Sequence, residues 1–410
     1  ALSRLGAVAV LLNPAMRGAA LRQAMQVTGV KDVIVAPPSH AVPDLLDACR
    51  SGHRLLIGSP NLPAHPDGIS GPHDIDLERL DPSWPRGLAE NPGRASEVAC
   101  LMFTSGTTGQ PKAARITNRR MLFAATAACA GCALTPTDTV YLCLPLYHAT
   151  GLVLAACAAL VAGSRLALAP RFSASRFWLD VRRSGATVVF YVGEMCRYLV
   201  SAPPSALEKT HAVRLFVGNG LRAEVWRQLL LRCGPVSVLE FYGATEGNGI
   251  LVNLTGEKIG SVGRVPFGLV ETFLAQYDPV AERILRDERG LVLPVAVGQP
   301  GMLLVEIAAH NPLSRFDGYT DEAATQAKIL RDVRRPGDAW FVSGDLLRED
   351  EDGDFWFVDR VGDTFRWKGE NVSTEQVAAV LSQLPAVAMC TVYGVRVPGH
   401  EGRAGMAALV

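Results

Sequence analysis

The densest run of chemistry-bearing residues is TSGTTGQPKAA, residues 104–114. An apolar, strand-like stretch over 99–103 ends in Thr104, Ser105, Gly106, Thr107, Thr108 and Gly109, then turns through Gln110 and Pro111 to Lys112. Glycines and small hydroxyl residues after a strand let the backbone come close to a ligand and aim several N–H groups at an anion. Lys112 would then neutralise the outer oxygens of a phosphate. The spacing does not fit the Walker pattern, in which four residues separate a Gly from Gly-Lys-Ser/Thr. Plain surface loops are also rich in Ser, Thr and Gly, so this stretch alone leaves both readings open.

A second candidate lies in RLFVGNGLRAEVWRQLL. It reads as a strand, then Gly218-x-Gly220-x-x-Ala223, then a helix, with Glu240 twenty residues after Gly220 at the end of another strand-like run. That spacing meets the dinucleotide-binding fingerprint, with the acid available for a ribose. Arg222 and Leu221 crowd the turn, however, and Glu240 runs straight into FYGATEGN, residues 241–248, where the fingerprint predicts nothing. Two weaker signals resolve toward structure. Asp350, Asp352 and Asp354 suggest a calcium loop, but its sixth position is Phe355 rather than Gly, which favours a hairpin turn. Cys129 and Cys132 have C-x-x-C spacing without a second pair or spaced histidines, and their apolar helical setting favours core packing.

Six segments together resemble the adenylate-forming superfamily of acyl-CoA synthetases, adenylation domains and luciferases. They are TSGTTGQPKAA at 104, LPLYHATG at 144, GNGLR at 218, FYGATEGN at 241, SGDL at 343 and DRVGDTFRWKGENVSTEQV at 359. They stand in family order and spacing over roughly residues 100–406. FRWKGENVST resembles most the fatty acid transport protein, or very-long-chain acyl-CoA synthetase, branch.

The resemblance implies attack of a carboxylate on the α-phosphate of ATP, release of pyrophosphate, and displacement of AMP by the thiol of coenzyme A. Charge develops on phosphate oxygens in the first step, so fixed N–H donors, a cation and Mg²⁺ would accelerate it. Carried over by motif, residues 104–109 wrap the β- and γ-phosphates with Lys112 behind them. Thr245 bonds a phosphate and Glu246 holds Mg²⁺. Tyr242, followed by Gly243, stacks on adenine, with Gly218, Asn219 and Gly220 on its other face. Asp345 and Arg360 take the ribose hydroxyls. His148 lies by the reacting carboxylate, and Gly362 is the hinge about which a small C-terminal domain turns. Without the family, Asp345 reads as a turn cap, Arg360 as a surface partner of Asp359 or Asp363, and His148 as a satisfied core residue. Arg366 stands where many relatives carry a lysine, and its part in thioester formation stays open.

The elements that must position these residues alternate. Strand-like runs over 30–36, 99–103, 139–144, 187–191, 213–217 and 236–241 are separated by helical stretches such as 223–232, which implies α/β layers with a largely parallel sheet. Residues 60–95 read as a surface excursion. From about Lys258 the texture changes to short β segments with turn residues. The expected fold is therefore α/β. A large layered α/β adenylate-forming domain would cover residues 1–360, with a β-rich subdomain over about 258–358. Residues 361–410 would hold the hinge and the start of a small α+β C-terminal domain. Ser373 and Gln376 form a capping-box signature for a helix toward Leu384. The resemblance implies that the superfamily's adenylation lysine would lie past Val410. The expectation is that residues 1–410 alone bind ATP but adenylate poorly, and an exchange rate equal to that of the full-length protein would refute it.

Lys plus Arg and Asp plus Glu both number 40 in 410 residues. That balance argues against a general nucleic-acid binder, whose affinity rests on a basic face. The longest apolar run, residues 152–162, is far short of the roughly 18 that span a bilayer. It reads as a buried helix, with an acyl-pocket lining as the alternative. Nine scattered cysteines in apolar surroundings suit reduced core thiols and a cytoplasmic setting, with peripheral attachment to the inner membrane face left open. The expected partners are a long- or very-long-chain fatty acid, ATP and coenzyme A, with a homo-oligomer open. Fatty acid uptake coupled to activation, a ligase for a sterol-derived acid, and carrier-protein loading remain alternatives.

Overall fold

The computed structural model describes residues 2–35, 54–58, 74–75, 93–104, 112–279, 281–308, 310–361, 365–367, 370–397 and 403–410. The chain divides into two compact units. One comprises residues 1–121 with 317–325. The expectation for residues 60–95 falls almost wholly outside the described residues, as do Ser105 through Gly109 and Gly362.

In this first unit β1 (Ala9–Leu11) runs parallel to β5 (Val98–Thr104), and β5 is antiparallel to β6 (Lys112–Thr117). A separate parallel sheet holds β2 (Asp32–Val35), β3 (Arg54–Gly58) and β4 (Asp74–Ile75). β5 reads VACLMFT, and its central residues are buried, as an apolar run covered on both faces requires. The far edge of β6 is occupied too: Arg115 N donates to Gly318 O and Thr320 N to Ala113 O, both at 2.9 Å. Tyr319 is thereby buried with Ala114 and Ala324.

The second unit, residues 122–316 and 326–410, contains a six-stranded sheet in the order β12-β11-β10-β9-β7-β8. Its members are β7 (Thr139–Leu142), β8 (Arg165–Leu168), β9 (Val188–Val192), β10 (Leu215–Asn219), β11 (Ser237–Gly243) and β12 (Ile250–Asn253). All neighbours are parallel except β12, which pairs antiparallel with β11. Hydrophobic clusters cover both faces. One gathers Trp178, Val181, Tyr191, Phe216, Trp226 and Leu229, and the other Val140, Ala155, Ala159, Phe190, Val217 and Phe241. The helices that supply them include Phe177–Ser184 and Ala223–Cys233. The strands read from sequence within this sheet agree with the observed ones to within two residues at either end.

Residues 150–157 form a π-helix that continues into the helix Ala158–Ala162. Val153, Ala155, Ala156, Ala158 and Ala159 are buried on the sheet, whereas Leu160 is exposed. Cys129 and Cys132, at the end of the helix Asn118–Gly131, are free thiols, and Cys132 is buried in the same core. Burial pushes the Cys132 thiol up to about 12, which leaves it inert at neutral pH. Among the described residues no helix is long and apolar enough to cross a membrane.

The β-rich region is an antiparallel sheet of β13 (Thr272–Ala275), β16 (Pro300–Glu306), β17 (Ile329–Arg331), β18 (Ala339–Glu349) and β19 (Phe355–Arg360). A small hairpin, β14 (Tyr277–Asp278) with β15 (Arg283–Ile284), stands beside it. The acidic segment is the β18–β19 turn, closed by Asp350 N to Asp354 O at 2.9 Å and by Gly353 at φ 82°. Lys258 Nζ lies 2.6–2.9 Å from Asp350, Asp352 and Asp354, so the ammonium of a lysine pairs with the carboxylates where a calcium loop would hold a metal ion.

After Arg360 come the hairpin β20 (Phe365–Trp367) with β21 (Glu370–Val372), the helix Thr374–Leu381, and the hairpin β22 (Cys390–Val395) with β23 (Ala404–Leu409). Ser373 caps that helix by accepting from Gln376 N at 3.3 Å. The helix stops at Leu381, three residues before the expected end. Phe365 fills a small core with Ala378 and Val392.

Candidate functional site

β10 and β11 are adjacent and parallel, and their carboxyl ends carry the GNGLR and FYGATEGN segments. In open α/β sheets ligands bind in the crevice outside the carboxyl ends of strands. Gly220, just past β10, has φ +79°, a conformation that L side chains rarely adopt. Asn219 Oδ1 is buried and has no hydrogen-bond partner. A buried amide oxygen left unpaired costs free energy unless a ligand satisfies it.

Tyr242, at the end of β11, donates its hydroxyl to Asp345 Oδ2 at 2.5 Å. Arg360 Nε donates to Asp345 Oδ1 at 2.8 Å. Asp345 on β18 is 2% exposed, whereas half of the Arg360 side chain is open to solvent. The β18–β19 register sets Asp345 opposite Arg360, which brings the SGDL and DRVGD motifs together. Among the described residues, Asp345 is therefore the partner of the Arg360 side chain. Asp359 is buried, and its carboxylate accepts from Thr374 N and from the backbone N of Arg360, both at 2.9 Å. Burial, reinforced by the Asp345 charge and hydrogen bond, pushes the Tyr242 phenol well above its ordinary pKa. The hydroxyl thus stays protonated and serves as a fixed donor. The hydrogen bond to Asp345 raises Arg360, and the negative charge of Glu246 adds to the same direction. Thr245 and Glu246 are half-buried beside Tyr242, and Gly243 is exposed.

The LPLYHATG segment leaves β7 and enters the π-helix. A Cβ on Gly151 would stand 2.3 Å from Pro145 O, so only glycine lets the helix begin against that backbone. His148 N donates to Pro145 O, and its exposed ring lies 4.5 Å from the Tyr147 ring. Partial desolvation lowers its pKa, which favours the neutral imidazole at pH 7. π-helical turns recur at functional sites.

In the other unit, Thr104 on β5 is paired with Lys112 on β6. Lys112 Nζ stands 5.8 Å from the centre of the Tyr319 ring, within cation–π range.

Residues 1–307 match the family model described as AMP-binding enzyme. The chain belongs to that family. It is 40% identical over 418 residues to long-chain fatty acid transport protein 3 of Homo sapiens, a match that covers all of this chain and 60% of that protein. It is also 41% identical over 414 residues to medium/long-chain-fatty-acid–CoA ligase FadD6 of Mycobacterium tuberculosis, covering 98% of this chain and 65% of that one. The chain thus spans about 60% of the length of the curated relatives it matches. Among solved structures it superposes on ATP-bound MatB from Rhodopseudomonas palustris with a TM-score of 0.78 at 25% identity, covering 99% of this chain and 74% of that one. A benzoate CoA ligase from Burkholderia xenovorans LB400 shares the fold, with a TM-score of 0.77 at 22% identity and the same coverage. The fold is that of adenylate-forming enzymes.

Glu240 does not take the ribose role that its spacing from Gly220 offers. The strand–turn–helix–strand geometry around it is real, but the carboxylate is 2% exposed. Glu240 Oε2 accepts from the Tyr191 hydroxyl and Oε1 from Leu221 N at 3.0 Å. No oxygen is presented outward for a ribose. The only signal that could have found this role is an acid set inside an otherwise apolar strand, VSVLEFY.

Proposed function

We propose that the protein is an ATP- and Mg²⁺-dependent fatty acyl-CoA synthetase for long or very long chains. The observation that carries this reading is the Tyr242–Asp345–Arg360 assembly at the carboxyl end of β11, in a chain about 40% identical to a fatty acid transport protein and to a fatty-acid–CoA ligase. The carboxylate of Asp345 keeps lone pairs after serving Tyr242 and Arg360, and these accept the ribose hydroxyls. Arg360 offers its solvent-facing N–H groups to the same sugar. Asn219 Oδ1 accepts from the adenine amino group, and the Tyr242 ring supports the base. The residues 104–109 together with Lys112 hold the β- and γ-phosphates, and Thr245 donates to a phosphate oxygen.

Glu246 supplies the hard carboxylate oxygen that suits Mg²⁺, which neutralises phosphate charge when bound. The fatty carboxylate attacks the α-phosphorus, the bond to the pyrophosphate oxygen breaks, and acyl-AMP forms. His148, neutral and exposed beside the π-helix, orients the acid. The thiol of coenzyme A then attacks the acyl carbon, releasing AMP and a proton, and Gly362 provides the hinge between the two steps.

Pyrophosphate exchange on the full-length protein tests this, with acids from acetate to very-long-chain fatty acids and a bile acid. Exchange that rises with fatty chain length is expected. Exchange with none of them refutes the reading. The names of the relatives favour one second reading, fatty acid uptake in which activation traps the imported lipid. Uptake by cells that falls together with exchange activity would support it, and uptake that survives loss of exchange would refute the trapping.

A further inference from the structure

Tyr191 on β9, Gly218 on β10 and Glu240 on β11 stand at one level of three adjacent parallel strands. Tyr191 is fully buried, and its side chain crosses β10 at Gly218 to reach Glu240. A Cβ on Gly218 would lie 2.5 Å from Tyr191 Cδ2 and 2.7 Å from Cε2. The first glycine of GNGLR is thus required by the tyrosine beneath it rather than by a ligand above. Glu240 Oε1 then accepts from Leu221 N, just past the turn. Gly193, at the start of the helix Gly193–Ser201, completes the floor, since a Cβ there would stand 1.7 Å from Gly220 O. Residues 218–221 are therefore held from below by a carboxylate, an aromatic ring and a backbone contact. The side-chain oxygen of Asn219 takes no part in holding the turn.

We propose that Glu240 is a positioning residue: with Tyr191 it braces the 218–221 turn and fixes Asn219 for the nucleotide base, without itself touching the nucleotide. This rests on the nucleotide-site reading above. The brace works as one unit, because the Tyr191 hydroxyl locks the carboxylate in the rotamer that accepts from Leu221 N. Without it the turn keeps its sequence but loses its anchor, and the base contact loosens while the acid-binding end of the site is untouched.

The test uses the full-length protein and two readouts, the equilibrium Kd for ATP by displacement of a fluorescent ATP analogue, and KM for the fatty acid. Glu240→Leu removes the hydrogen bonds from Tyr191 and from the N–H groups of the turn. Glu240→Gln keeps an acceptor for Leu221 N and a polar partner for the tyrosine. Tyr191→Phe deletes one hydroxyl. Glu240→Leu is expected to weaken ATP about 10- to 50-fold and Tyr191→Phe about 5-fold, with the acid KM within twofold and Glu240→Gln within threefold of wild type. The double variant Tyr191→Phe/Glu240→Leu should be no weaker than Glu240→Leu by more than twofold, as expected for residues that act together. Unchanged ATP affinity in folded Glu240→Leu overturns the proposal. So does equal weakening of ATP and acid, or a Gln variant as poor as the Leu one. If Glu240→Leu fails to fold, Tyr191→Phe decides by the same criteria. Because Kd needs no turnover, wild type that binds ATP but exchanges with no acid would sink the ligase reading alone. Wild type that binds no ATP sinks both.

Discussion

Glu240 makes the sharpest physical prediction. Burial pushes its pKa from 4.5 up to about 8, only partly offset by hydrogen bonds from Tyr191, Leu221 N and Gly220 N. The other titratable groups facing it are Tyr191 from β9 and Cys196 from the helix Gly193–Ser201. Both are pushed upward by burial and stay neutral through this range. The sign follows from proton counting. Between the two pKa values the folded state holds a proton that the unfolded state has released, so stability falls as pH rises. At 1.36 kcal/mol per pKa unit, this one group removes about 3–4 kcal/mol between pH 5 and pH 8, and little more above that. Glu240→Gln keeps the volume and cannot ionise. Urea midpoints read by tryptophan fluorescence at several pH values should therefore show wild type losing about 3 kcal/mol relative to Glu240→Gln across this window. Parallel curves within about 0.5 kcal/mol would refute the burial argument, and a wild type that gained on the variant would reverse its sign.

Three further outcomes follow from the packing. Gly218→Ala places a methyl 2.3 Å from Tyr191 O and against its ring, and should cost about 3 kcal/mol or more, measured by the same urea midpoints. Phe267 is 92% exposed at φ +51°, a conformation costing a non-glycine residue about 1 kcal/mol. Phe267→Asn should accordingly raise Tm slightly and Phe267→Val lower it; two shifts of one sign would be inconsistent with strain at this turn. Burial alone would raise Asp138, but hydrogen bonds from Arg214, Thr187 and Thr135 outweigh it and hold the carboxyl well below its usual range. Asp138→Ala should cost about 2–3 kcal/mol at neutral pH. Its penalty should shrink as pH falls below about 4, where wild type loses the same contacts, and a penalty constant down to pH 2 would contradict that account.

Much was legible in the residues themselves. Parallel strands buried on both faces must be near-continuous apolar runs, so VVFYV, LFVGN and SVLEFYG announce β9, β10 and β11 before any coordinates. Turn chemistry is local as well. Gly353, set between Asp352 and Asp354, closed the β18–β19 turn, and Ser373 capped its helix, because each needs only neighbours within four residues. The six motifs announced the family by their residues, order and spacing.

What tertiary structure decided is which charges meet. Asp345 and Arg360 are fifteen residues apart and Tyr242 about a hundred before them, and only the β18–β19 register and the end of β11 make them one assembly. Lys258 reaches the aspartates of a turn 92 residues on, which settles a lysine where a calcium loop was the alternative. Glu240 is the clearest case. Its spacing from Gly220 fits a ribose-binding acid, and spacing reports only which strand a residue ends on. Whether its carboxylate faces a ligand or the core depends on Tyr191, a residue 49 positions away that crosses Gly218 to meet it. A sequence fixes hydrogen-bond partners within a turn, since the chain itself holds them close. Partners brought together by sheet order are chosen by packing, which no local pattern encodes.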